Sequence, residues 1–127
     1  MIASDIMTRK VATIQPEASA QEAAQLLDQR RISGAPVVDA DDKIIGIITE
    51  ADIISKVDRE GLRVSDIMSY NVIAISEETP VSEIAALLTE RKIKRVPVVR
   101  DGKLVGIVSR ADIVHAVAQG HLIMREW

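Results

Sequence analysis

The sequence of 127 residues contains no cysteine. Disulfide bonds, thiolate nucleophiles and cysteine-based zinc sites are therefore excluded. Phenylalanine is also absent, and aromatic residues make up only 2% of the sequence, with Tyr70 and Trp127 as the two examples. So few rings give little surface for stacking on bases, which disfavours single-stranded nucleic acid as a ligand and predicts an aliphatic core.

The chain also lacks a cluster of positive charge and a long apolar run. It has 16 Lys and Arg against 19 Asp and Glu, for a net charge of -3. Nucleic-acid binding requires a basic face, so nucleic acid is not a predicted partner. No apolar run approaches the ~18 residues that span a bilayer, and no basic segment followed by an apolar one opens the sequence. We predict a cytoplasmic protein without a membrane partner.

Residues with the spacing of a catalytic or metal site are absent as well. His115 and His121 lack a carboxylate at ligand spacing, so no metal ligand is predicted. The sequence has no glycine-rich phosphate loop and no Ser/His/Asp constellation. We therefore predict no catalytic residues, no required cofactor and no enzymatic activity.

An internal repeat is the main positive feature. Asp5-Ile6-Met7 recurs 61 positions later as Asp66-Ile67-Met68, and Pro36-Val37-Val38 recurs at the same spacing. The spacing then drops to 60, because the turn at 39–43 is one residue longer than its counterpart. These spacings predict a first repeat at residues 1–61 and a second repeat with a C-terminal tail at residues 62–127.

Each repeat has the pattern β-α-β-β-α. In the first, the β-branched run Val11–Ile14 predicts a strand, and Ser19 with Glu22 predicts a capped helix that ends near Arg31. Two apolar strands around a turn then predict an antiparallel hairpin. A glycine inside the second hairpin strand, at Gly46, indicates a bulge or a close backbone approach.

The second repeat follows the same order. Thr79 is expected to cap its first helix, with Pro80 at the first helical position. Gly106 occupies the place of Gly46. In both repeats a short helix with an apolar stripe follows the hairpin. The stripes are Ile53, Ile54 and Val57, and Ile113, Val114 and Val117.

A hydroxyl residue ends each hairpin, with an aspartate three positions later, as Thr49 with Asp52 and Ser109 with Asp112. This spacing is typical of a helix capping box. A carboxylate also has two oxygens that can accept both hydroxyls of a cis-diol, at about 1.5–3 kcal/mol for a hydrogen bond to a charged group. The two interpretations are compatible and both stay open.

The full order of these motifs, occurring twice, resembles the tandem CBS-domain pair, or Bateman module, from about Ser4 to about Ala118. The resemblance implies an α/β (α+β) fold of two βαββα repeats packed sheet to sheet with pseudo-two-fold symmetry. It also implies sites for adenosine derivatives in the cleft between the repeats, and a homodimer of four CBS repeats.

The family's ligand contacts can be carried over by position. One implied site combines Ile32, Ser33 and Ala35 with Ser109 and Asp112. In these sites the aspartate accepts the ribose diol, the hydroxyl contacts ribose or phosphate, and adenine lies against the segment before Pro-Val-Val.

The other implied site combines Ile93, Lys94 and Val96 with Thr49 and Asp52. The two repeats therefore contribute the same kinds of contact in opposite order.

The repeats differ in the cations near these positions. Lys94 and Arg95 lie where similar proteins hold phosphates, and Arg110 adds a third cation. Ser33 and the following glycine replace the first two in repeat one, and Thr79, at a position that often contacts the nucleoside, is replaced there by alanine. We expect unequal sites, one of them better suited to phosphate. Lys94 and Arg95 are also compatible with solvated charges at a helix end.

We predict a regulatory module that senses AMP, ADP, ATP or S-adenosylmethionine as regulatory ligands and acts on an unknown effector protein. The alternative is a ligand-free scaffold for dimerisation and protein interaction, in which the apolar stripes supply the contacts. The tail His121–Trp127 is apolar enough to dock on a neighbour.

Overall fold

A computed structural model describes residues 1–122, so the tail residues 123–127 lie outside the described residues. In chain order the elements are α1 (Ala3–Ile6), α2 (Ala20–Arg30), β1 (Gly34–Val38), β2 (Ile44–Thr49), α3 (Glu50–Ile54), α4 (Val64–Ile67), β3 (Ile75–Ser76), α5 (Val81–Arg91), β4 (Arg95–Arg100), β5 (Lys103–Ser109) and α6 (Arg110–Ala118). This mixture of helices and strands confirms the predicted α/β class. None of the helices within residues 1–122 is long and apolar enough to cross a membrane.

The chain forms two compact units whose limits differ from those of the sequence repeats. The repeat-1 unit contains Val11–Val72 together with Gly102–Leu104. The repeat-2 unit contains Met1–Lys10, Ile73–Asp101 and residues 105–122. Each unit thus takes its Asp-Ile-Met segment from the other repeat, a connection that the repeat spacing did not indicate.

The repeat-1 unit is built on the predicted antiparallel hairpin, in which β1 pairs with β2 and Gly34 lies opposite Thr49. The predicted strand Val11–Ile14 is wrong in extent, because only Ile14 pairs, in parallel, with Val37. The amide of Ile14 donates to the carbonyl of Pro36 at 3.2 Å. Extending this parallel ladder would require amide donors at Pro16 on one side and at Pro36 on the other. Proline has no N–H, so the pairing stops after one residue.

The repeat-2 unit has a three-stranded sheet in the order β3-β4-β5. Its leading strand β3 pairs in parallel with β4, with Ile75 opposite Val98. The residue in the place of Pro16 is Glu77, which keeps its N–H. A two-residue turn joins β4 to β5, where Asp101 and Gly102 both have positive φ, at 53° and 79°. This geometry is the one that an Asp-Gly hairpin turn favours.

The first long helix of each unit shows one confirmed prediction and one correction. Ser19 caps α2 and accepts a hydrogen bond from the amide of Glu22 at 3.0 Å, and the helix ends at Arg31, as predicted. Thr79 does not cap α5. Instead Pro80 is the N-cap residue, because its carbonyl accepts the first helical hydrogen bonds, while the hydroxyl of Thr79 accepts from the amide of Ser76 at 3.1 Å.

The predicted close approach at both strand glycines is confirmed. A Cβ atom on Gly46 would lie 2.7 Å from Sδ of Met68, and one on Gly106 would lie 2.6 Å from Sδ of Met7. Both methionines are buried, which fits a gap-filling role for the flexible thioether. A β-bulge at Val37/Val38 also adjoins Gly46. The Asp-Ile-Met segments therefore pack on the glycine-containing strands.

Both cores are aliphatic, but the predicted stripes on the short helices are only partly buried. Ile53 and Ile113 pack against the cores of their units. Ile54 and Val114 are 69% and 66% exposed. Val57 is 67% exposed and lies beyond the end of α3, so its assignment to a helical stripe is wrong. The amide of Ser55 still makes the helical bond to the carbonyl of Ala51, but those of Lys56 and Val57 donate only three residues back, as in turns.

Candidate ligand-binding junctions

The first junction, comprising Ser33, Thr49, Glu50 and Asp52, lies where β2 ends and α3 begins. Thr49 caps α3, and its amide and hydroxyl donate to Oδ2 of Asp52 at 2.8 and 3.0 Å. In return the amide of Asp52 donates to the Thr49 hydroxyl at 3.3 Å. The predicted capping box is therefore present and fixes the carboxylate at the end of the hairpin.

The second junction, comprising Lys94, Ser109, Arg110 and Asp112, repeats this geometry between β5 and α6. The amide and hydroxyl of Ser109 donate to Oδ2 of Asp112 at 2.8 and 3.0 Å. The amide of Asp112 donates back to the hydroxyl at 3.2 Å. Three distances thus agree between the junctions to within 0.1 Å.

The capping bonds determine which carboxylate oxygen can serve a ligand. In both aspartates Oδ2 already accepts two hydrogen bonds. Oδ1 of Asp52 takes no part in the cap, and Oδ1 of Asp112 accepts a long bond of 3.4 Å from the Thr8 hydroxyl. The cap therefore uses one oxygen of each carboxylate and leaves the other outside its hydrogen bonds.

The segment before Pro-Val-Val lies beside the junction of its own repeat. The amide of Glu50 donates to the carbonyl of Ser33 at 3.0 Å, and the amide of Arg110 donates to the carbonyl of Lys94 at 3.0 Å. Nε of Arg110 also donates to the carbonyl of Ile93 at 3.1 Å. This proximity follows from the hairpin, because the start of the first strand and the end of the second meet at one edge.

Some predicted contact residues have buried side chains. Ala35 and Val96 are 1% and 0% exposed and belong to the cores of their units, so a ligand contact there would involve backbone atoms. Ile32 and Ile93 are partly buried and pack on the same cores. The two complete sites stay predictions. They combine Ile32, Ser33 and Ala35 with Ser109 and Asp112, and Ile93, Lys94 and Val96 with Thr49 and Asp52.

The junctions carry opposite charges beside their aspartates. Lys94 is exposed and Arg95 is partly buried, and with Arg110 they place three cations at the second junction. The first junction has Ser33 and Gly34 at the first two positions and Glu50 at the third. The difference in charge between the junctions is therefore larger than expected. The first junction lacks all three cations and has the carboxylate of Glu50 at the third position.

Thr79 lies apart from the junction of its own unit. It follows β3, whose last residue, Ser76, pairs with Val99 near the end of β4. Lys94 and Ser109 lie at the opposite end of that sheet, before β4 and after β5. The structure therefore does not bring Thr79 to Asp112.

Thr8 and Ser69 were missed by the sequence predictions. Thr8 exchanges backbone hydrogen bonds with Ile107 at 2.8 and 2.9 Å, and Ser69 does the same with Ile47 at 2.9 and 2.9 Å. Each therefore lies alongside the strand that leads to a junction aspartate. The sequence did contain a pattern that indicates them, since both residues follow Asp-Ile-Met and both carry a hydroxyl group. Within residues 1–122, no three His, Asp or Glu side chains cluster as metal ligands.

Solved structures of similar proteins share this fold. The CBS domain pair of protein MJ0100, in complex with 5′-methylthioadenosine and S-adenosyl-L-methionine, is 33% identical, with a TM-score of 0.84 over 94% of this chain and 98% of that one. CBSX2 in complex with AMP, a protein of Arabidopsis thaliana, is 28% identical, with a TM-score of 0.88 over 95% and 98%.

Curated relatives are longer than this chain. It is 32% identical over 113 residues to inosine-5′-monophosphate dehydrogenase of Methanocaldococcus jannaschii, which covers 88% of this chain but only 23% of that enzyme. It is 33% identical to protein MJ1232 of the same organism, over 90% of this chain and 38% of that protein. The model of the CBS domain matches residues 3–59 and again residues 64–119. Two matches over most of the length, with the paired junctions described above, show that the chain belongs to the CBS domain family as a CBS pair.

Proposed function

We propose that the chain is a regulatory, non-catalytic module that binds adenosine derivatives at its two junctions. The observation that carries the proposal is the duplicated aspartate, Asp52 and Asp112, each fixed by a hydroxyl cap with Oδ1 directed away from the capping bonds. A single such cap is an ordinary helix start. Two identical caps in a family whose solved members hold adenosyl ligands favour a ribose-binding role.

The similar structures support this class of ligand. The MJ0100 domain pair holds 5′-methylthioadenosine and S-adenosylmethionine, and CBSX2 holds AMP. All three ligands contain a ribose diol and an adenine, while only AMP carries a phosphate. A carboxylate can accept hydrogen bonds from the ribose diol that all three share.

The chemistry of the residues fits separate roles. Oδ1 of each aspartate accepts from the ribose hydroxyls, and the caps keep the carboxylate from rotating. Lys94 and Arg110 supply positive charge for a phosphate at the second junction. The energy-sensing role, the effector protein and the cytoplasmic location stay predictions.

Isothermal titration calorimetry with AMP, ATP, S-adenosylmethionine and 5′-methylthioadenosine tests the proposal. The variants Asp52→Asn and Asp112→Asn keep an oxygen that can cap the helix but lose the charge. Each should weaken one class of sites roughly 10- to 100-fold, the loss expected for a hydrogen bond to a charged group.

Asp5→Asn and Asp66→Asn are the matched controls. Asp5 and Asp66 also accept from the N-cap amide of a short helix at 2.8 Å, in bonds that stay within their own segments. They should lose the same capping charge and keep full ligand affinity. Failure of every ligand to bind at millimolar concentration, or equal effects of the junction variants and the controls, would contradict the proposal.

A second candidate function, the protein-interaction scaffold, is favoured by the exposed aliphatic side chains of Ile54, Val57 and Val114. Ile54 and Val114 lie on short helices and Val57 follows one of them, so exposed aliphatic surface is available for contact between copies. Sedimentation equilibrium would show a dimer that the triple substitution of these residues by serine converts to a monomer. A monomeric native protein would remove this candidate and leave ligand binding unaffected.

A further inference from the structure

The short helices α3 and α6 each carry an exposed charge and an exposed aliphatic side chain on one face. Glu50 precedes Ile54 by four residues on α3, and Arg110 precedes Val114 by four residues on α6. Residues four apart on a helix are neighbours on its surface. All four side chains are exposed. The two helix faces are therefore alike in layout and opposite in charge.

The difference in charge extends to the helices on which α3 and α6 pack. α2 packs on α3, and α5 packs on α6. Asp28 and Arg31 of the first pair line the same groove as Glu50, so two carboxylates and one cation give a local charge of -1. The equivalent positions of the repeat-2 unit hold a threonine, Lys92 and Arg110, so two cations give +2. Each unit thus presents the charge that the other lacks.

Arg110 is held in the first turn of α6. Its Nε donates to the carbonyl of Ile93 at 3.1 Å, which orients the guanidinium at the start of the helix. An arginine side chain has five N–H groups in a planar fork, and this bond uses one of them. One side chain can therefore keep this bond and also pair with a carboxylate of another molecule.

Contact between two copies can join like faces or unlike faces. If α3 met α3 and α6 met α6, Glu50 would lie near Glu50 of the second copy, and Arg110 near Arg110. Like charges placed across a contact repel each other. If α3 met α6 instead, each carboxylate would lie near a guanidinium. Charge complementarity therefore favours the unlike pairing.

We propose that α3 of one copy packs against α6 of a second copy, with Ile54 against Val114 and Glu50 paired to Arg110. The proposal rests on the scaffold function given above and adds which faces meet. The aliphatic contact supplies attraction in either pairing, and the charges select between the two pairings.

Exchanging the two charges tests the pairing, with the dissociation constant of the dimer measured by sedimentation equilibrium without ligand. Glu50→Arg and Arg110→Glu each place like charges across the contact and should weaken the dimer about tenfold. The double variant E50R/R110E restores opposite charges and should dimerise like the native chain. In a pairing of like faces, each single variant would only replace one pair of like charges by another and would not change the dissociation constant.

The two single variants also control for the overall charge of the chain. Glu50→Arg changes the net charge of -3 by +2, whereas Arg110→Glu changes it by -2. An effect of overall charge would therefore have opposite signs in the two variants. A melting curve for each variant separates lost association from lost folding.

Disulfide cross-linking tests the same contact directly, because the native chain contains no cysteine. Ile54→Cys and Val114→Cys are oxidised alone and as an equimolar mixture, and mass spectrometry identifies the covalent dimers. The mixed dimer should dominate in the mixture. Either variant alone should remain mostly a monomeric thiol.

Three results would overturn the pairing while a dimer persists. Both single charge variants would associate like the native chain, or E50R/R110E would fail to restore association, or Ile54→Cys would cross-link with itself in preference to Val114→Cys. A native chain that stays monomeric would overturn the scaffold function and the pairing together.

Discussion

The two junctions share their backbone geometry and differ in charge. Thr49 with Asp52 and Ser109 with Asp112 form the same reciprocal cap, with equivalent distances that agree to within 0.1 Å. Beside one cap lies Glu50, and beside the other lies Arg110. The cap is required to start the helix after the hairpin, whereas the adjacent exposed position places no demand on the fold. Charge can therefore diverge between the repeats while the geometry stays the same.

Substitution of the two strand glycines compares how closely the two units are packed at these positions. These substitutions should have the largest effects on stability. In Gly46→Ala the new Cβ would lie 2.9 Å from the backbone oxygen of Ser69, while in Gly106→Ala the nearest backbone oxygen, of Thr8, is at 3.1 Å. Overpacking costs about 1–3 kcal/mol, and Gly46→Ala should reach the upper part of this range because backbone cannot move as a methionine side chain can.

Urea unfolding measures the loss of stability in both variants. Gly61, Gly102 and Gly120 have positive φ and cannot serve as controls, so the two variants serve as references for each other. A larger loss for Gly106→Ala would reverse the comparison.

Lys94→Ser tests the charge difference and should have an intermediate effect. It gives the second junction the residue that Ser33 provides at the first. Affinity for AMP should fall about tenfold, because one charge-assisted phosphate contact is lost, while affinity for adenosine should not change. Calorimetry with both ligands measures the difference.

Lys103→Ser is the matched control, since Lys103 is exposed at the other end of β5. Equal losses for AMP and adenosine in Lys94→Ser would show that Lys94 does not contact phosphate. An equal loss in the control would assign the effect to the general charge of the surface.

An ion pair gives the smallest expected difference. Arg100 donates to Glu77 through Nε and through a terminal nitrogen, at 2.5 and 2.8 Å, whereas Pro16 and Asp39 occupy these places in repeat one. The hydrogen bond from Arg100 lowers the pKa of Glu77 below its ordinary value of 4.5. The pair therefore stabilises the folded state above about pH 4.5, and this contribution is lost as the pH falls through the lowered pKa.

In Glu77→Gln the free energy of unfolding should fall slightly less steeply with decreasing pH than in the native chain. Added salt should reduce this difference, because the pair is exposed. Urea unfolding between pH 3 and pH 6 measures this, with Glu78→Gln as the adjacent control. An identical acid limb in the native chain and Glu77→Gln would show that the pair adds nothing.

Much of the fold could be predicted from the sequence, because each local pattern occurs in both repeats. The hairpins, the strand glycines and the caps at Ser19, Thr49 and Ser109 rest on local chemistry and were predicted correctly. The strand at Val11–Ile14 was not, since its length depends on the amides that Pro16 and Pro36 lack in a parallel pairing. The helix start at Pro80 was misplaced by one residue, because Thr79 bonds to Ser76 instead.

The sequence by itself determined the elements, the paired aspartates and the unequal cations, because capping, turn formation and hairpin pairing depend on neighbours within a few residues. Only the tertiary structure decided that Met7 packs against Gly106 and Met68 against Gly46, so that each unit takes its leading segment from the other repeat. It alone placed Thr8 beside Asp112 and Arg110 across the carbonyl of Ile93. Such contacts join residues far apart in the chain, and a repeat spacing of 61 describes similarity between segments without showing which segment packs on which.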